Sequence, residues 1–187
     1  MTARFTLLTA GYAADRVAGT VSLLRDEDRI VVVDPGMVAD RALVLDPLRE
    51  LGLLPSDVTD VVISHHHPDH TVNIALFPLA AVHDFQATYR DDVWTDHEPG
   101  DRALTRSVTL LSTPGHTDQD ITTAVDTDQG LIVLTHLWWS SAGPEHDPFA
   151  PDADRLRRSR TRVLDLHPVL IVPGHGAPFR PADLTFP

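Results

Sequence analysis

The sequence predicts an α/β protein in which two sheets pack face to face with helices outside. Three observations carry that expectation. Strand-forming runs followed by a long helical stretch occur twice along the 187 residues, so each half can supply one sheet and its covering helix. The run Val31-Val32-Val33 is β-branched throughout and ends at Asp34-Pro35-Gly36, the mark of a buried strand closed by a turn. Hydrophobic residues make up 42% and charged residues 22%, the balance of an ordinary globular chain, in a length that suits one well-buried core; residues 1–187 are expected to form a single domain.

In order, Phe5 to Thr9, Thr20 to Arg25 and Arg29 to Val33 read as strands. Residues 39–51 place apolar side chains at 42, 43, 45, 48 and 51, near the helical period, and Gly52 with Pro55 stops the helix. Asp60 to Ile63 is the next strand, and residues 70–76 open a short helix. Ala80 to Val82, Ser107 to Ser112, Ile121 to Val125 and Leu131 to Leu134 follow as strands bounded by Asp, Gly, Thr or Pro. The second long helix covers 152–167, with Asp152 as N-cap and Arg155, Arg157, Arg158, Arg160 and Arg162 as a basic face. Val169 to Val172 is the last strand.

Composition narrows the function. There is no Cys, so disulfides and thiolate ligands are out, and any metal must be held by His, Asp or Glu. No segment approaches the roughly eighteen apolar residues of a membrane helix. The first residues read as strand and turn more than as a signal peptide, so the expected location is the cytoplasm. A formal charge of −12 disfavours a broad hold on nucleic acid, whose affinity comes from basic groups neutralising phosphates.

Eleven His are present, and their placement matters more than their number. The stretch Ser64-His65-His66-His67-Pro68-Asp69-His70 follows a strand directly. His65 and His67, two apart on a tight turn, can aim their rings the same way, while Pro68 stiffens the turn before Asp69 and His70. His116 in TPGHT (113–117) and His175 in PGHG (173–176) each follow Pro-Gly at the end of an apolar run. Such turns send a ring out past a strand end, so ligands from separate strands converge at one sheet edge. An all-His/Asp set suits zinc, iron or manganese and leaves room for water.

HxHxDH at 65–70, together with Asp34-Pro35-Gly36, TPGHT and PGHG in this order, resembles the metallo-β-lactamase-fold hydrolases. GYA at 11–13, LFP at 76–78, HDF at 83–85 and PGHGAPFR at 173–180 further resemble the subfamily of metallo-β-lactamase domain-containing protein 1. The resemblance implies a four-layer αβ/βα sandwich with mixed sheets and a site at one edge. It also implies two divalent metal ions, zinc first with iron or manganese as alternatives: His65, His67 and His116 at one position, Asp69, His70 and His175 at the other.

One position departs from that pattern. The family usually places a metal-bridging Asp just after the strand that here reads Leu131 to Leu134, and this chain has Thr135-His136. A carboxylate offers both oxygens and a negative charge; a neutral imidazole normally offers one lone pair. Three roles stay open for His136: a ligand of the second metal without bridging, a neighbour of a weakly held second metal, or a group facing the ligands or the substrate. The ligand role is favoured. Asp34 and Asp120 are expected to hydrogen-bond ligand rings and fix their tautomers. His83, Trp138 and Trp139 are candidates for the substrate pocket, and residues 86–102 and 137–151 for its loops.

A metal-dependent hydrolase follows, using a metal-bound hydroxide on an ester, thioester, lactone or similar small molecule, with Asp69 taking or steadying the proton. The alternatives are a nuclease or phosphodiesterase, to which the named subfamily points, an iron-dependent oxygenase, and a metal-binding protein of weakened activity. Partners are expected to be a small-molecule substrate and, as for many compact domains, a second copy in a homodimer.

Overall fold

The computed structural model describes residues 2–185. Its strands are β1 (Arg4–Thr9), β2 (Tyr12–Ala13), β3 (Val17–Ala18), β4 (Val21–Asp26), β5 (Arg29–Val33), β6 (Asp60–Val62), β7 (Ala81–His83), β8 (Ala87–Arg90), β9 (Val93–Asp96), β10 (Arg102–Ala103), β11 (Val108–Ser112), β12 (Ile121–Thr127), β13 (Gly130–Thr135) and β14 (Leu170–Pro173). The helices are α1 (Ala42–Glu50), α2 (Pro68–Thr71) and α3 (Ala153–Leu164). One sheet runs β1-β4-β5-β6-β7-β8-β9, the other β10-β11-β12-β13-β14, and β2 pairs with β3 as a separate ribbon. Both large sheets are mixed: β5, β6 and β7 pair in parallel in the first, β13 and β14 in the second.

Alternation along the strands builds the layers. In β5, Val31 and Val33 point into a core shared with Leu110, Val125, Leu134 and Val172 of the other sheet. Val32, between them, faces the opposite way and packs with Val61 on Val44 and Leu48 of α1. The second sheet repeats this: Val133 and Ile171 turn outward onto Leu156 and Val163 of α3. Every strand of this kind is covered on both faces, which is why the runs are continuously apolar instead of alternating with polar residues. The result is the expected αβ/βα order of helix, sheet, sheet, helix.

Several local details differ from the sequence expectation. The short helix begins at Pro68, inside the His-rich stretch, because Pro at the first helical position needs no N–H partner. The strands β8, β9 and β10 were not expected; β9 is exposed along its length, so burial leaves no mark on its sequence. In α3, Asp152 does cap, accepting from the backbone N–H groups of Asp154 and Arg155. The basic face is interrupted. Arg160 is buried and donates to the carbonyls of Leu137, Pro144 and Glu145, with its guanidinium carbon 5.7 Å from the Trp138 ring. Among the described residues no helix is long and apolar enough to cross a membrane.

Candidate metal centre

The site lies where strand ends from both sheets meet. β6 runs into Ser64 and His65. The next turn stops at His67, whose extended backbone (φ −70°, ψ 144°) is the conformation a following proline imposes, and α2 then carries Asp69 and His70. From the second sheet, the turn after β11 carries His116. It is closed by Thr113 N–H donating to the Asp120 carbonyl and tied to the first sheet by Ile121 N–H donating to the Ser64 carbonyl. The parallel register Thr135 to Pro173 brings the ends of β13 and β14 side by side, and with them His136 and His175.

Two glycines make this crowding possible. A Cβ on Gly36 would stand 1.6 Å from the Asp69 carbonyl oxygen, and one on Gly174 would stand 2.2 Å from Cδ2 of His136. Either would force the neighbouring ligand turn to move.

Hydrogen bonds set the tautomer of four rings by occupying the nitrogen that faces away from the cluster. His70 donates from Nδ1 to Asp34 Oδ2 (2.9 Å), His116 from Nδ1 to Asp147 Oδ2 (2.7 Å), and His175 from Nδ1 to the Ala18 carbonyl (2.9 Å). Ser64 Oγ donates to Asp34 Oδ2 (2.7 Å), so its remaining lone pair accepts from His65 Nδ1 (3.0 Å). Each of these rings, when neutral, therefore turns the lone pair of Nε2 inward.

The inward atoms converge. His67 Nδ1 lies 3.0 Å from both His65 Nε2 and His116 Nε2, and His136 Nε2 lies 3.1 Å from His175 Nε2. Asp69 Oδ2 is 3.4 Å from His70 Nε2 and 3.5 Å from His175 Nε2. His70 Nε2 and His136 Nδ1 are buried without a hydrogen-bond partner. Buried nitrogens of this kind are costly unless something accepts their lone pairs. A divalent cation meets that need, and the donor set of imidazoles with one carboxylate suits zinc, iron or manganese. Among the described residues, two overlapping groups could hold one: His65, His116 and His136, and His70, His136 and His175, with ligand atoms in each within 4.8 Å of one another.

The electrostatics divide the cluster into rings that are already neutral and one that holds a proton. Burial, reinforced by the surrounding imidazoles, drives His65 and His136 well below the usual histidine range, so both stay neutral. Burial alone would also lower His70, but Asp34 and Asp69 outweigh it and push it up to about 9, so without a metal this ring carries a second proton on Nε2, which a bound cation would displace. For Asp69, burial favours the acid form, yet the His70 hydrogen bond and positive charge bring it down to about 2, leaving an ionised carboxylate at neutral pH.

The remaining sequence candidates fall in different places. Asp34 bonds the His70 ring, and reaches that of His65 through Ser64. Asp120 bonds no ring; it accepts from Thr117 N–H (3.1 Å) and Oγ1 (2.7 Å) and so braces the turn that carries His116. In that dry setting its carboxyl rises to about 6. His83 faces away, with Nε2 2.7 Å from Asp60 Oδ1 and Nδ1 2.9 Å from Thr88 Oγ1, in a network that continues to Arg29. Trp138 is fully buried in the α3 layer, so it lines no pocket. Trp139 does stand at the site, its ring 5.9 Å from those of His116 and His175. His66, between ligands, turns out to Asp84 (2.9 Å). Sequence reasoning missed Ser64, Asp147 and Phe149. Ser64 was legible as the hydroxyl preceding HxHxDH; Asp147 and Phe149 sit in a loop with no periodicity to read.

Comparison with known proteins gives the family and its fold. The sequence pattern described as Metallo-beta-lactamase superfamily matches residues 14–84. Metallo-beta-lactamase domain-containing protein 1 of Xenopus laevis is 31% identical, over 93% of this chain and 80% of its own length. Among solved structures, a Thermotoga maritima protein assigned as a metallo-beta-lactamase superposes with a TM-score of 0.74 at 22% identity, covering 97% of this chain and 100% of the other. An N-acyl homoserine lactone hydrolase, solved with N-hexanoyl-L-homoserine at its catalytic metal centre, superposes with a TM-score of 0.67 at 19% identity, covering 93% and 92%.

Proposed function

Because the chain belongs to the metallo-beta-lactamase superfamily, in the family of metallo-beta-lactamase domain-containing protein 1, we propose that it is a metal-dependent hydrolase of a small acyl substrate: an ester, thioester, lactone or similar compound. The observation that carries this reading is the convergence of inward imidazole nitrogens at one place, with Asp69 beside those of His70 and His175 and the outward N–H of four rings already satisfied. Binding sites for two divalent ions are assigned to His65, His67 and His116, and to Asp69, His70 and His175. His136 lies within reach of both sets and would join the second through Nε2, 3.1 Å from that of His175. A bound divalent ion would supply a Lewis acid to polarise the substrate carbonyl and lower the pKa of water.

The protein groups do the rest. Asp69 is ionised and its side chain is about one-seventh exposed, so it can accept a hydrogen bond or proton from an incoming water. Asp34 holds His70 directly and His65 through Ser64, so one carboxylate orients a ring of each set. His136 fills with an imidazole the place where the family carries a bridging carboxylate, and with a single lone pair per tautomer it would serve one ion. Protein purified without added metal is therefore expected to hold clearly less than two equivalents; two tightly held equivalents per chain would argue against it.

Phosphodiester cleavage has less support. On α3, Arg155, Arg157 and Arg162 already pair with Asp118, Asp154 and Asp101, and Arg160 is buried, which leaves little basic surface for a nucleic acid. The hydrolase assignment is tested with His67→Ala and Asp69→Ala on a panel of esters, thioesters and lactones, with metal content measured alongside. Both variants should lose most turnover; unchanged turnover at wild-type metal content would refute the assignment.

A further inference from the structure

The rim of the site carries an aromatic pair that the hydrolytic reading does not use. Phe149 is 61% exposed, yet its ring lies 5.6 Å from that of His116 and 6.0 Å from that of His67. It stacks on Trp139 (5.9 Å, 21° between planes), and Trp139 in turn reaches His175 and, at 6.3 Å, His136. The pair thus flanks both ligand sets. An apolar ring left largely in water costs free energy unless something covers it.

One buried carboxylate holds this arrangement. Asp147 Oδ2 accepts from Trp139 Nε1 (2.9 Å) as well as from His116, and its Oδ1 accepts from the Phe149 backbone N–H (2.9 Å). The same side chain therefore sets a metal-facing imidazole, an indole and the start of the Phe149 turn. Trp139 also walls a hollow of about 410 Å³ with Tyr12, Ser140, Gly143 and His175. Among the described residues, no Asp, Glu or Arg lines it. Arg16, whose guanidinium carbon is 5.9 Å from the Tyr12 ring, lines the adjoining hollow instead.

We propose that the Asp147–Phe149 turn selects the substrate: Phe149 and Trp139 form a shelf that takes a neutral, apolar substituent flanking the scissile acyl bond. The occupant is argued from charge and position together. The hollow that adjoins the shelf at Trp139 has no charged lining residue, the Asp147 carboxylate behind the shelf disfavours an anionic group, and Phe149 abuts the rings that would hold the metal, where a reacting carbonyl must sit. This inference rests on the hydrolase reading and names its substrate class. Phe149 is the specificity-determining residue and Asp147 a positioning residue acting through Trp139 and His116.

The test compares wild type, Phe149→Ala and Phe149→Leu, reconstituted with metal, on 4-nitrophenyl acetate and 4-nitrophenyl hexanoate. A parallel measurement, independent of turnover, follows binding of N-methylhexanamide and N-methylacetamide to metal-free protein by ligand-observed NMR. Wild type should prefer the hexanoyl compounds. Phe149→Ala should reduce that preference about tenfold, and Phe149→Leu, which keeps an apolar face, should restore part of it. Ester hydrolysis with the same hexanoyl-to-acetyl ratio in wild type and Phe149→Ala would overturn the shelf and leave the hydrolase reading standing. Hexanamide binding that depends on Phe149, without hydrolysis of any ester, would support the shelf and overturn the hydrolase reading.

Discussion

Replacing Asp34 by Asn isolates what one carboxylate does for the metal centre. Asp34 adopts a left-handed backbone (φ 52°), a conformation Asn tolerates well, so the change alters chemistry without straining the chain. Its Oδ1 accepts from Ser64 N–H (2.7 Å); its Oδ2 accepts from Ser64 Oγ (2.7 Å) and His70 Nδ1 (2.9 Å). An amide has one acceptor. If its oxygen takes the Oδ2 place, its NH2 faces Ser64 N–H; if reversed, the NH2 faces His70 Nδ1–H. Either way a buried donor loses its partner, at a cost of about 1–3 kcal/mol in stability.

The same loss loosens His70, and His65 through Ser64. Changes at such positions typically cost about 10- to 100-fold in metal affinity, equivalent to roughly 1.4–2.8 kcal/mol. Competition titration against a chelating dye should show the larger loss at the position that includes His70, because its bond to Asp34 is direct, and a smaller loss at the position that includes His65. A correctly folded Asp34→Asn protein with both affinities unchanged would refute the idea that Asp34 orients the two sets.

Gly174→Ala should be damaging for steric reasons alone, since its Cβ would lie 2.2 Å from His136 Cδ2 and 2.6 Å from Nε2. Overpacking of this kind costs about 1–3 kcal/mol, readable in a urea midpoint, and metal binding should weaken with it; an unchanged midpoint and occupancy would show that His136 is free to move. The metal-free protein should be most stable near neutral pH. His70, raised to about 9 when folded, contributes stability that is fully present below about 6.5 and is lost as pH rises through 9. His65 and His136 act oppositely: their depressed folded values mean that the unfolded chain takes up protons first, so stability falls as pH drops below about 6.5. Urea midpoints that rise steadily from acid to alkaline pH would contradict the His70 part of this argument.

The readable parts of the site were those whose chemistry is local. His65, His67, Asp69 and His70 share one turn, and the Pro-Gly before His116 and His175 marks where strands end, so their convergence could be anticipated from spacing. The Asp147 to His116 bond joins positions thirty-one residues apart through an irregular loop, and no periodicity announces it. Trp138 and Trp139 are consecutive, and only the packed structure tells which one faces α3 and which faces the cluster. Arg160 was legible in principle. It stands with Leu156 and Val163 at i, i+4 and i+7 on the buried side of α3, although counting arginines had put it on a basic face. In the fold, the buried strands were readable because both faces are apolar. The polar outer strands β8 and β9 lacked that mark.

The order of the inward-facing groups along the chain has a consequence for biosynthesis. A polypeptide made from its N-terminus produces the His65 to His70 turn well before His116, and His175 arrives only with the final strand, whose parallel pairing with β13 sets it beside His136. A growing chain therefore displays a partial chelator long before the enclosing nitrogens exist. An ion taken up at that stage would be held by the turn alone. Closure of the whole cluster around an ion would have to wait until β14 docks beside β13.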